Sequence, residues 1–133
     1  GYPMPPLTLS VLDPTLAVRR FSPDTPLPAQ LLEEPLFFVA RTAEELSVVC
    51  RADLNLEGGR VDRGWSALQV AGPLDFSLTG ILANIARVLA GAQISIFAIS
   101  TFDTDYVLVK CDRLTKAQTV LREAGYRFLA DET

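Results

Sequence analysis

Between residues 77 and 91 apolar side chains recur at Leu78, Ile81, Leu82, Ile85, Val88 and Leu89. Offsets of three and four put them on one stripe of an amphipathic helix, and Gly91 is placed to end it. Just before, residues 66–71 alternate, with Leu68 and Val70 on one face and Gln69 on the other, the pattern of a half-buried strand. Gly72-Pro73 stops that strand. Residues 94–101 (ISIFAIST) and 106–111 (YVLVKC) are β-rich runs separated by Phe102, Asp103, Thr104 and Asp105, which predicts a hairpin. Asp112 then introduces a second stripe of Leu114, Ala117, Val120, Leu121 and Ala124, closed by Gly125. Residues 126–129 can add a last short strand. The order predicts a βαββαβ, ferredoxin-like unit, with both helices covering one sheet face because each has a single apolar stripe.

The first half has weaker periodicity. Residues 7–12 and 16–21 read as strands around a turn at Asp13-Pro14. Pro23, Pro26 and Pro28 mark a loop, after which only a short helix fits at residues 29–33. Residues 36–41 and 45–52 predict a second hairpin around Thr42, Ala43 and Glu44, and residues 53–64 a connector with one strand near Val61. The fold class expected is α+β: a degenerate ferredoxin-like unit over residues 1–62 and a complete one over residues 63–133, with antiparallel sheets and helices on one face.

Composition narrows the chemistry. The chain has 133 residues, 49% of them hydrophobic and 21% charged, which is globular and outside the disordered range. Twelve basic against sixteen acidic side chains leave a formal charge of −4, which argues against nucleic acid or an anionic membrane as partner. The absence of histidine excludes Ser-His, Cys-His and HExxH chemistry. Cys50 and Cys111 lie in apolar segments with no CxxC spacing, so two buried, reduced thiols in a cytoplasmic protein are expected, with Met4 the expected natural start.

Asp103 and Asp105 are paired carboxylates in a turn, where aspartates commonly bond turn amides. They offer too few graded oxygen donors for a divalent cation. Gly72 and Gly80 are not followed by a lysine and form no phosphate cradle. No enzyme signature and no cofactor motif is present. The segment from Gly72 to Gly80 leads into a helix N-terminus, whose amides favour a carboxylate ligand. With the helix beginning near Ser77, Gly80 in its first turn would cost about 1 kcal/mol relative to Ala. Capping by Asp75 or Ser77, with Gly80 relieving helix–sheet crowding, accounts for the same residues equally well.

Residues 94–110 (ISIFAISTFDTDYVLVK) resemble the signature of a group of ACT-domain proteins comprising small bacterial tandem-ACT proteins and CASTOR-type cytosolic arginine sensors, with aspartate kinase regulatory regions as more distant relatives. Trp65, residues 72–80 and the helix to Ala92 fit the same pattern, and residues 37–49 resemble the hairpin of a degenerate first ACT unit. The resemblance implies a non-catalytic regulatory module that binds a free amino acid between paired ACT units and reports it to a partner protein. Ser95 and Ile96 would meet the ligand through their backbone. Asp75, Phe76, Ser77, Leu78 and Thr79, with Gly80, would form the loop before the helix. Thr101 and Phe102 would lie near the ligand, and Asp105 would pair with an ammonium or guanidinium.

Leu78 stands where the arginine-sensor pattern has an acidic residue, and Asp75 replaces a small one, so arginine is not carried over as the ligand. The sensors hold four ACT units and this chain has length for two, so a homodimer is expected to supply the missing pair. An ACT-fold dimerisation or interaction module without a ligand is the alternative.

Overall fold

The computed structural model describes residues 7–71 and 80–132. Its strands are β1 (Thr8–Val11), β2 (Leu16–Phe21), β3 (Phe38–Arg41), β4 (Leu46–Arg51), β5 (Arg60–Val70), β6 (Phe97–Ser100), β7 (Asp105–Lys110) and β8 (Arg127–Phe128); its helices are α1 (Ile81–Gly91) and α2 (Leu114–Glu123). The chain forms two compact units, one of Gly1–Asp13 with Ser66–Thr133 and one of Pro14–Trp65. It is an α+β protein, and the first of these units is ferredoxin-like.

In the discontinuous unit β7 pairs with both β5 and β6, and β1 lies between β5 and β8. Strand β1 runs antiparallel to β5, with Leu9 opposite Val70 and Val11 opposite Leu68, and parallel to β8, with Leu9 opposite Phe128. The sequence expected residues 7–12 to turn back on residues 16–21 within the first unit; the contacts instead group residues 1–13 with 66–133. The alternating pattern of β1 is satisfied by any strand pair, and it is Leu9 that settles the partner, buried among Leu68, Val70, Val107 and Phe128. Ile81, Ile85 and Leu89 of α1 and Ala117 and Leu121 of α2 join that core, as their stripes predict.

The helix ends refine the reading. Helix α1 starts at Ile81 with Gly80 as its N-cap, not near Ser77. It closes on Gln93, at φ +60°, rather than on Gly91: the Ile94 amide donates to the Leu89 carbonyl and the Gln93 amide to that of Ala90. This is the Schellman arrangement with a buried apolar Ile94 as its hydrophobic contact. Gly125 ends α2 the same way, with Tyr126 bonding Leu121, as expected. Cys111 is exposed rather than buried, because it follows the last residue of β7 and opens a short 3-10 turn, Cys111–Arg113. Neither cysteine is in a disulfide.

The unit of Pro14–Trp65 holds β2, β3, β4 and the first half of β5, in the order β3-β4-β2-β5, with every pairing antiparallel. The β3–β4 hairpin forms as predicted, its turn held by the Thr42 hydroxyl, which accepts the Glu44 and Glu45 amides. The isolated strand expected near Val61 is continuous with the one expected at 66–71. Gly64, at φ +81°, lies opposite a register shift between Leu16 and Val18, so a bulge carries the chain through.

The core of this unit comprises Phe21, Leu31, Leu46, Val48, Cys50 and Leu56. Arg19 is buried too, its guanidinium donating to the Leu54 and Leu56 carbonyls at 3.1 and 3.3 Å. Burial pushes the Cys50 thiol up, against the lowering influence of Arg19.

Leu9→Ala should therefore destabilise the protein by about 2–5 kcal/mol in urea unfolding, the usual loss for a buried leucine; an effect below about 0.5 kcal/mol would mean that β1 is not part of the core. Cys50 releases its proton more readily unfolded than folded, so its contribution to stability is complete below the unfolded value of about 8.5 and falls as pH rises above it. Urea midpoints measured through that range should fall for the wild type and level off in Cys50→Ala.

Candidate functional site

The β6–β7 hairpin carries Thr101, Phe102, Asp103 and Asp105, four of the residues singled out from the sequence. Its register pairs Phe97 with Leu108, Ala98 with Val107, Ile99 with Tyr106 and Ser100 with Asp105. Ser100 Oγ donates to Asp105 Oδ1 at 2.6 Å. That bond fixes the direction of the carboxylate and leaves acceptor capacity on a group with about four lone-pair positions. Sequence reasoning missed Ser100; the pairing of a hydroxyl with a carboxylate across a hairpin depends on register, which the run ISTFDTD alone does not give.

The turn is closed by two threonines. The Thr101 amide donates to the Thr104 carbonyl at 2.8 Å, and the Thr101 hydroxyl donates to the same carbonyl while accepting the Thr104 amide. Phe102 projects from the tip, 81% exposed, beside the exposed Asp103. Thr104 is buried, and its hydroxyl donates to the Val70 carbonyl at 2.6 Å. Among the described residues β6 pairs only with β7. It is therefore an edge strand, and its sequence, FAIS, has no charge or proline to discourage another strand from pairing.

Gly80 takes a left-handed conformation, φ +78° and ψ 4°, and its carbonyl accepts the Asn84 amide as the first bond of α1. The amides of Ile81, Leu82 and Ala83 thus have no acceptor within the helix. A Cβ on Gly80 would meet no described atom within 4 Å, and the positive φ by itself favours glycine. Ser95 is exposed and Ile96 half-buried in the five residues that join α1 to β6. Asp75, Phe76, Ser77, Leu78 and Thr79 lie outside the described residues. Among the described residues no group of three or more acidic, cysteine or histidine side chains could hold a metal ion, and no helix is long and apolar enough to cross a membrane.

Residues 60–123 match a family model for the ACT domain. The structure is similar to that of protein Atu0741 from Agobacterium tumefaciens, with a TM-score of 0.87 and 35% identity, covering 95% of this chain and 94% of that one. Over 59 residues the chain is 42% identical to the human (Homo sapiens) cytosolic arginine sensor for mTORC1 subunit 1; the match covers 44% of this chain and spans 18% of the length of that curated relative. Aspartate kinase from Clostridium acetobutylicum shares the fold alone, with a TM-score of 0.66 and 12% identity over 88% of this chain and 34% of that one.

Gly80→Ala should cost about 1–2 kcal/mol through its positive φ, and Gly80→Asn less, because asparagine tolerates that region better. Equal losses in chemical denaturation would contradict a conformational origin.

Proposed function

We propose that this chain, whose residues 60–123 match the ACT-domain family, is a non-catalytic, cytoplasmic regulatory module that binds a free amino acid at the β6–β7 hairpin. The Ser100–Asp105 pair carries this reading: a carboxylate held in one direction at the rim of an uncharged edge strand is suited to an ammonium. It lies within the residues matched by the ACT family model. One similar protein is a cytosolic arginine sensor, and the aspartate kinase that shares the fold is an allosteric enzyme. The first favours an amino acid as ligand and the second a regulatory output.

In this reading Asp105 pairs with the ligand ammonium, and the first-turn amides of α1, with residues 75–79, receive its carboxylate. Backbone groups of Ser95 and Ile96, with Thr101 and Phe102, border the ligand. Two copies associate as a homodimer through the open edge of β6, so that each site gains a second wall. No cofactor takes part, and the regulated partner is another protein. The residues 14–65 unit serves as a degenerate ACT-like companion. The uncharged edge of β6 also favours a second reading, an assembly module of the same fold without a small-molecule ligand.

A thermal-shift screen of the common amino acids separates the two. A ligand at 100 times its dissociation constant stabilises by about 2.7 kcal/mol, and the shift should vanish in Asp105→Ala. No shift with any amino acid supports the assembly module. A shift that survives Asp105→Ala unchanged removes the site from the hairpin.

A further inference from the structure

The chain leaves β5 at Val70 and Ala71, and that exit is held from both sides. On one side the Ala71 amide donates to the Thr8 carbonyl of β1 at 2.8 Å. On the other, the Thr104 hydroxyl donates to the Val70 carbonyl at 2.6 Å. Thr104 immediately precedes β7, which pairs with β5, so this side-chain bond adds a link beyond the start of the strand. The backbone of Thr104 is committed as well, its amide to the Thr101 hydroxyl and its carbonyl to both the amide and the hydroxyl of Thr101. Its neighbours in the network are Thr101 on one side and, by chain connection, Asp105 on the other.

We propose that Thr104 is a positioning residue that couples the hairpin turn bearing Asp105 to the exit of β5, through the buried bond from its hydroxyl to the Val70 carbonyl. The inference rests on the proposed role of the hairpin in binding and adds a route by which occupancy there is passed on. A ligand drawing on Asp105 changes the constraint on the adjacent Thr104. Because Thr104 has its amide, carbonyl and hydroxyl all engaged and only 5% of its surface exposed, it has little freedom to absorb the change locally. The change is delivered to Val70 and Ala71, from which the chain continues toward α1. An ordinary turn threonine satisfies its own turn; this one also bonds the carbonyl of a residue 34 positions away.

The test uses the full chain with Thr104→Val, which keeps the shape and removes the hydroxyl, and Thr104→Ser, which keeps the hydroxyl. Amide exchange by NMR should rise about tenfold at Ala71 in Thr104→Val, the equivalent of one lost buried hydrogen bond. It should stay unchanged at Val48 in the other unit and return to the wild-type rate at Ala71 in Thr104→Ser. A uniform rise at Ala71 and Val48 would indicate a general loss of stability and overturn the proposal, as would an unchanged Ala71. Any amino acid that stabilises the wild type should bind Thr104→Val about tenfold more weakly and Thr104→Ser as before; equal affinity for all three overturns the coupling. If no amino acid stabilises the wild type, the binding role fails, and the exchange at Ala71 still decides whether the coupling exists. The wild-type protein offers a check that needs no variant: a slowly exchanging Thr104 hydroxyl proton should be visible by NMR, and its absence would contradict the bond.

Discussion

Strand β1 occupies the space between β5 and β8, and the discontinuous unit depends on it. Strand β8 is only two residues long and pairs, among the described residues, with β1. Without that neighbour, buried main-chain groups of β8 and one edge of β5 would lack partners, which folded proteins rarely tolerate. The same strand supplies Leu9 to a core that otherwise comes from residues 66–133. The unit carrying the hairpin and both α-helices is therefore completed by a segment from the other end of the chain. Its sheet reads β6-β7-β5-β1-β8, a ferredoxin-like arrangement in which an extra strand separates the last strand from the first.

What could be read from the sequence follows from the range of the interactions concerned. The stripe Ile81, Ile85, Leu89 and the stripe Ala117, Leu121 are local patterns with the helical period, and both helices lie where they predict. The β6–β7 and β3–β4 hairpins and the Gly125 terminus are local too. The partner of β1 is not, because alternation says which face of a strand is buried and nothing about which strand lies beside it. Gln93 in place of a glycine at the end of α1 was hidden because its signal is the burial of Ile94, a tertiary fact. The merging of two expected strands into β5 turns on Gly64, whose bulge depends on the pairing with β2 and leaves no local signal. Cys111 was expected to be buried from the apolar run before it, yet it stands one residue past the strand that the run builds.

The candidate site was legible in part. Asp105, Thr101 and Phe102 are brought onto one hairpin, as the ISTFDTD run suggested. Ser100 and Thr104 were not singled out, because their roles lie in partners that only register and sheet order bring near. Both are hydroxyls that set the geometry of neighbouring groups, Ser100 that of the Asp105 carboxylate and Thr104 that of the Val70 carbonyl. The missing histidines fit this arrangement: a carboxylate and main-chain amides recognise a zwitterion without a group that titrates near neutral pH. The second unit contributes its own core around Arg19 and Cys50, where the buried guanidinium donates to two backbone carbonyls.

The central claim is that the hairpin recognises a free amino acid. An NMR titration of isotopically labelled protein with each amino acid addresses it residue by residue. At least one amino acid should produce saturable shifts concentrated at Ser100, Thr101, Thr104 and Asp105 and extending to Ala71. Spectra unchanged by every amino acid, or shifts confined to the residues 14–65 unit, would contradict it.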